Sequence, residues 1–182
     1  ALVSVFTTIM QVFVDTGLGN ALIQKKDADD VDFSTVFYTN IAFCLVLYLI
    51  IFISAPLIAK LYNNEALTAV TRVLGLTIVI SGVKNVQQAY VSRKMIFKKF
   101  FFATLVGTIG AGVLGITLAI NGAGVWALVA QQIFNLTVDT IILWITVKWR
   151  PKKFFSFTRL KELFSYGWKL LVSSIIDTVY NN

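Results

Sequence analysis

The sequence predicts an all-α polytopic membrane protein, and three observations carry that prediction. Hydrophobic residues make up 57% of the 182 residues and charged ones only 14%, against about 25% charged in an ordinary soluble domain. Residues 33–59 and 100–138 contain no charged side chain at all, and a helix crosses a bilayer with about 20 apolar residues. The apolar runs are continuous rather than alternating, which argues against a transmembrane β-barrel. Histidine is absent and Cys44 is the single cysteine. No internal disulfide is therefore expected, nor a zinc, haem or other cofactor site. The net charge of +7 is explained by its distribution along the chain and requires no nucleic acid.

Five complete or nearly complete transmembrane helices and the start of a sixth are expected. The first span should end near Ile23, with Gln11 and Asp15 at i, i+4 spacing. A charged connector, residues 24–32, follows. The second span should run from Ser34 to Ala59, with Pro56 near its far end. The third, Leu67 to Ser92, carries Lys84 deep inside. A lysine in hydrocarbon costs at least about 2.5–3.5 kcal/mol. Around it Thr77, Ser81, Lys84 and Gln88 follow i, i+4, i+7, i+11, one face of a helix, which Asn85 and Gln87 widen. A polar stripe of this kind either glues helices together or lines a wet face, and Lys84 with Gln88 favours the second. The fourth span, Phe101 to Ile120, has small residues every fourth position, Gly107, Ala111 and Gly115. Such a stripe lets a neighbouring helix approach closely. After the breaker cluster 121–124, the fifth span runs from Val125 to Val147 with Gln131, Asn135 and Asp139 stepping by four. A basic stretch, 148–161, leads into the sixth.

Orientation follows from Lys and Arg. Connectors one, three and five hold Lys25, Lys26, Arg93, Lys94, Lys98 and Lys99, and then the basic stretch from Lys148 to Lys161. Connectors two and four hold only Lys60. The positive-inside rule places the odd connectors in the cytoplasm. Trp149 and Trp168 are then expected at the inner interface, Tyr62 and Trp126 at the outer one. Arg72 is expected to snorkel to the outer headgroups.

Depth can be estimated from the cytoplasmic ends. Lys84 lies nine residues from Arg93, Asp139 nine from Lys148, Asp15 ten from Lys25 and Asp177 eight from Lys169. At 1.5 Å per residue all four sit roughly 12–15 Å above the inner interface. A single buried pair could simply fix helix packing. Four charges at one level point to a hydrated central cavity, the usual setting of intramembrane ionisable residues in transporters. Lys84 and Asp139, on helices running in the same direction, are candidates for a salt bridge.

Three separated motifs resemble one family. They are Asp15 to Lys26 (DTGLGNALIQKK) with Phe33 to Phe37 (FSTVF), Gly124 to Val129 (GVWALV), and Arg150-Pro151 with Phe157, Leu160 to Phe164 and Tyr166 to Trp168. Together they resemble the bacterial polysaccharide and lipid-linked oligosaccharide flippases of the Wzx type. Those belong to the multidrug/oligosaccharidyl-lipid/polysaccharide exporter superfamily. The resemblance implies a MATE-like bundle of two six-helix lobes around a central cavity. Residues 1–166 would be the second to sixth helices of the first lobe, with 148–166 a cytoplasmic connector. Residues 167–182 would start the next helix, and the chain reads as truncated at both ends.

The same resemblance implies a non-enzymatic flippase or exporter in the bacterial inner membrane. It would move a lipid-linked oligosaccharide or polysaccharide precursor by alternating access. The substrate would carry an isoprenoid tail, a pyrophosphate and a short oligosaccharide. Membrane lipid, this glycan and the glycan assembly machinery are the expected partners. Lys84 is expected to attract phosphate, and Gln87, Gln88, Gln131 and Asn135 to hydrogen-bond sugar hydroxyls. Asp15 or Asp139 is expected to take up a proton or sodium ion. A drug or small-cation antiporter of the same fold is the alternative reading, favoured by three carboxylates to one lysine. A membrane-embedded glycan polymerase or ligase fits less well, since the outer connectors are short and Glu65 is their one carboxylate.

Overall fold

The structure is a computed structural model, and it describes residues 18–25, 27–165 and 167–168. Five helices are defined: α1 Leu18–Gln24, α2 Asp30–Leu61, α3 Ala66–Arg93, α4 Phe97–Ile120 and α5 Val125–Thr146. Residues 157–165 form a further connector helix. The last four of the five are long and apolar enough to cross a membrane. No strand occurs among the described residues. The chain is thus all-helical and polytopic, and its four described spans match the expected second to fifth. Gln11, Asp15 and Asp177 lie outside the described residues.

The helix ends show why the boundaries differ from those read in the sequence. α2 starts four residues before Ser34 because Asp29 caps it. The Asp29 carboxylate accepts hydrogen bonds from the backbone N–H of Val31 (3.1 Å) and Asp32 (2.9 Å), and Asp32 accepts from the N–H of Asp29 at 3.2 Å. This reciprocal arrangement satisfies donors that a helix start leaves open. Asp30 and Asp32 in the first turn also oppose the positive end of the helix dipole. The α4–α5 turn depends on Gly122 and Gly124, whose φ values of 79° and 53° belong to the left-handed region.

Pro56 lies inside α2 without ending it. Proline has no N–H, so the carbonyl of Phe52, four residues earlier, loses its helical donor. Arg72 of α3 replaces it: its Nε donates to the Phe52 carbonyl at 3.4 Å, and its guanidinium lies 4.2 Å from the Phe52 ring centroid. Arg72 therefore repairs a proline break. Neighbouring helices commonly satisfy backbone freed by proline in membranes.

Glycines set the close pairs. A Cβ on Gly82 would lie 2.6 Å from Cys44 Sγ, so α2 and α3 pack with no room for a side chain there. On α4, a Cβ at Gly107 would lie 2.8 Å from Asn135 Oδ1, and one at Gly115 2.9 Å from Gln131 Oε1. The close approach expected of the small-residue stripe is realised against α5. The surface is apolar in return: Ile53, Leu57, Ile109, Val113, Ile116 and Ile145 are all exposed. Thr71, Thr77, Ser81, Asn85, Gln87 and Asp139 are buried. This inside-out distribution suits a lipid solvent.

The odd connectors meet at one end. Arg93, the last residue of α3, donates to the carbonyls of Leu22 (3.0 Å) and Lys25 at the end of α1. The backbone N–H of Lys152 donates to Ser34 Oγ (3.0 Å) and that of Ser156 to Thr35 Oγ1 (3.1 Å), strapping the last connector across the start of α2. Trp149 is buried there, its ring centroid 5.7 Å from that of Phe33 and 6.2 Å from that of Tyr90. The expectation that Trp149 marks the lipid boundary is corrected: the strap folds its indole inward. Tyr62, Trp126 and Trp168 are exposed.

Candidate functional site

The site is built where α3 meets α5. On the outer half of that seam, Val70 and Leu74 pack with Val129. On the inner half, Val86 and Ala89 share one core with Leu143 and Val147. Between these two apolar layers Lys84 Nζ forms an ion pair with Asp139 Oδ2. The side chains are 15% and 6% exposed. Lys84 is nine residues from the end of α3 and Asp139 seven from the end of α5, so both sit roughly 11–14 Å inside at 1.5 Å per residue. The pairing that their depths allowed is present.

Two features keep this pair from being saturated. Asp139 Oδ1 has no hydrogen-bond partner among the described residues. Lys84 Nζ also lies 5.7 Å from the Phe100 ring centroid, at the edge of cation–π range. Among the described residues, one carboxylate oxygen and one aromatic face hold a group with three N–H donors. A buried pair in low dielectric is strongly coupled: neutralising one member strands the other.

The other sequence-derived residues fall around this pair in different ways. Asn135 and Gln131 stand one and two turns outward of Asp139 on α5, partly buried against the glycines of α4. Gln88, one turn inward of Lys84, is exposed. Gln87 is fully buried, and its Nε2 donates to the carbonyl of Trp149 at 3.1 Å. Of the upper stripe, Thr77 Oγ1 donates to the Leu74 carbonyl at 2.5 Å, and Asn85 packs on Gly19 of α1. Thr77 thus bonds within its own helix, and Asn85 serves helix packing. Asp15 lies outside the described residues.

A second charge cluster, at the end where the odd connectors meet, was not foreseen. Asp32 is completely buried. Its carboxylate is paired with Lys25 at 2.9 Å and Arg159 at 3.5 Å, while Lys152 pairs with Asp30 at 2.6 Å. The available signal was the Asp29-x-x-Asp32 spacing of a capping box. The Asp29 carboxyl is held below the usual range, chiefly by the Asp32 N–H, with help from Arg159 and the Val31 N–H against an opposing burial effect. Among the described residues no group of His, Cys, Asp and Glu side chains could hold a metal ion.

The comparisons with known proteins bear on what this chain belongs to. A model of the polysaccharide biosynthesis protein family matches residues 1–182. The chain belongs to that family. It is similar to the teichuronic acid biosynthesis protein TuaB of Bacillus subtilis, 27% identical over 179 residues, which is 97% of this chain and 37% of TuaB. It is similar to the succinoglycan biosynthesis transport protein ExoT of Rhizobium meliloti, 24% identical over 97% of this chain and 36% of ExoT. The lipopolysaccharide biosynthesis protein WzxC of Escherichia coli is 23% identical over 98% of this chain and 37% of WzxC. This polysaccharide biosynthesis family member thus spans a little over a third of the length of the curated relatives it matches. No solved structure matches it.

Proposed function

We propose that this chain supplies one lobe of a transporter that flips a lipid-linked glycan across the bacterial inner membrane by alternating access. The Lys84–Asp139 pair is the observation that carries the reading. It consists of one cation and one carboxylate, each about two-thirds of the way along one of two adjacent spanning helices, and offers a charge to a passing anionic headgroup. In the resting state Asp139 neutralises Lys84. Protonation of Asp139 frees Lys84 for the phosphate of the substrate, and return of the phosphate-free site restores the pair. Proton uptake and substrate binding are then linked at one atom pair. Gln88, Gln131 and Asn135 provide amide groups at neighbouring levels for sugar hydroxyls, while Gln87 holds the connector through Trp149. The family membership and the relatives named for succinoglycan transport and lipopolysaccharide biosynthesis support a glycan cargo. A cation antiporter fits the described site less well, because its carboxylate is already balanced by Lys84.

The test is made in the whole protein. Lys84→Ala is expected to abolish export of the surface glycan while the protein still inserts. Lys84→Arg should retain part of the export, since the charge remains but the head is planar and larger. Normal glycan export by Lys84→Ala would remove Lys84 from the mechanism.

A further inference from the structure

The connector helix that follows α5 presents three distinct faces. Leu160, Leu163 and Gly167 recur at i, i+3, i+7. Leu163 and Gly167 are buried, Leu163 in the core that contains Leu22, Phe33 and Trp149. Thr158, Glu162 and Ser165, at i, i+4, i+7, are exposed and polar. Phe157, Lys161, Phe164 and Trp168 recur at i, i+4, i+7, i+11 and form the third face. That face is open: Phe157 is 73%, Phe164 62% and Trp168 50% exposed. Just before it, Phe154 and Phe155 are also exposed.

A helix needs three faces only when it borders three media. The first face is on protein and the second suits water. The third combines large aromatic rings with one lysine, the composition of residues that sit at headgroup level. Lys148, Lys153 and Lys161 are exposed around it, while the acids at this end are paired: Asp29 and Asp32 with Arg159, Asp30 with Lys152, and Glu162, on the polar face, with Lys25. Anionic headgroups of the cytoplasmic leaflet complement such a surface. Arg159 fixes the rotation of the helix by pairing with Asp29 at 3.7 Å and Asp32 at 3.5 Å, so the aromatic face cannot roll into the core.

We propose that the aromatic face of this connector helix lies in the headgroup layer of the inner leaflet and docks there on anionic lipid. It anchors the last connector at the membrane surface. The proposal does not depend on what the protein transports.

The experiment uses the whole protein with Cys44→Ala, reconstituted in phosphatidylcholine vesicles with and without phosphatidylglycerol. Spin labels are placed singly at Phe164→Cys, Phe157→Cys and Thr158→Cys, all exposed positions. Collision with oxygen, which partitions into lipid, is compared with collision with a water-soluble nickel chelate. The expected result is oxygen preference at 164 and 157, and nickel preference at 158. Phosphatidylglycerol should deepen the label at 164, and Lys161→Gln should remove that deepening. Shielding of 164 from both reagents would mean that protein covers the face, and nickel preference at 164 would place it in water. Either overturns the proposal. Indifference to phosphatidylglycerol would overturn its anionic part.

Discussion

Pro56 removes one donor from α2, and Arg72 supplies another from α3 at 3.4 Å. The two residues are therefore coupled across the hairpin. Arg72→Leu should leave the Phe52 carbonyl without a donor and cost about 1–3 kcal/mol, as lost bonds to charged groups do. In a Pro56→Ala background the restored N–H takes that carbonyl, and Arg72→Leu should then cost much less. Thermal midpoints of the four proteins in detergent give the coupling directly, and additive losses would show that the two never act together. In the sequence Pro56 and Arg72 were visible as a helix breaker and a stray charge. Their contact was not, because the register between two helices depends on where glycines such as Gly82 let them approach. Lys84 and Asp139 were more legible, because depth is counted along each helix and both are measured from the same cytoplasmic end.

At the scale of the element, α4 and α5 are held by small residues against amides. Gly107→Leu should force α4 off Asn135 and lower the yield of folded protein, whereas Gly112→Ala should be neutral. A Cβ at Gly112 meets nothing within 4 Å. Equal damage from both would mean that glycine flexibility, not close approach, is what α4 needs. The start of α2 gives a pH-dependent counterpart. Asp29→Ala should cost about 0.5–2 kcal/mol, the usual loss of an N-cap. Because the folded-state pKa of Asp29 is lowered, its contribution is present at neutral pH. It is lost as pH falls through the lowered value, below about pH 4. The thermal midpoint of Asp29→Asn should fall less steeply with acid than that of the native protein. Helix existence and order were readable from apolar run length alone, but α2 begins at Asp30 because of a cap whose partners lie in the charged connector. The burial of Trp149 was not readable, since it depends on a strap that folds back across Ser34 and Thr35.

For the whole molecule, connectors one, three and five are tied together at one end by Arg93, Lys152 and Ser156, and the lysine and arginine count predicts that this end is cytoplasmic. Single cysteines at Asn63 and Asn121, in a Cys44→Ala background, should react with an impermeant thiol reagent added outside intact cells. Those at Asp29 and Lys153 should not, and the reverse pattern would invert the topology. The central claim is that Lys84 binds the anionic headgroup and Asp139 holds it between cycles. It is tested most directly by transport of a fluorescent lipid-linked oligosaccharide in proteoliposomes made with the whole protein. Lys84→Met and Asp139→Leu should each lower folded yield, by about 3–5 kcal/mol of lost stability, because each strands a buried charge. The double variant should recover the yield and transport nothing. A double variant that both folds and transports like the native protein would contradict the account and leave the pair a packing device.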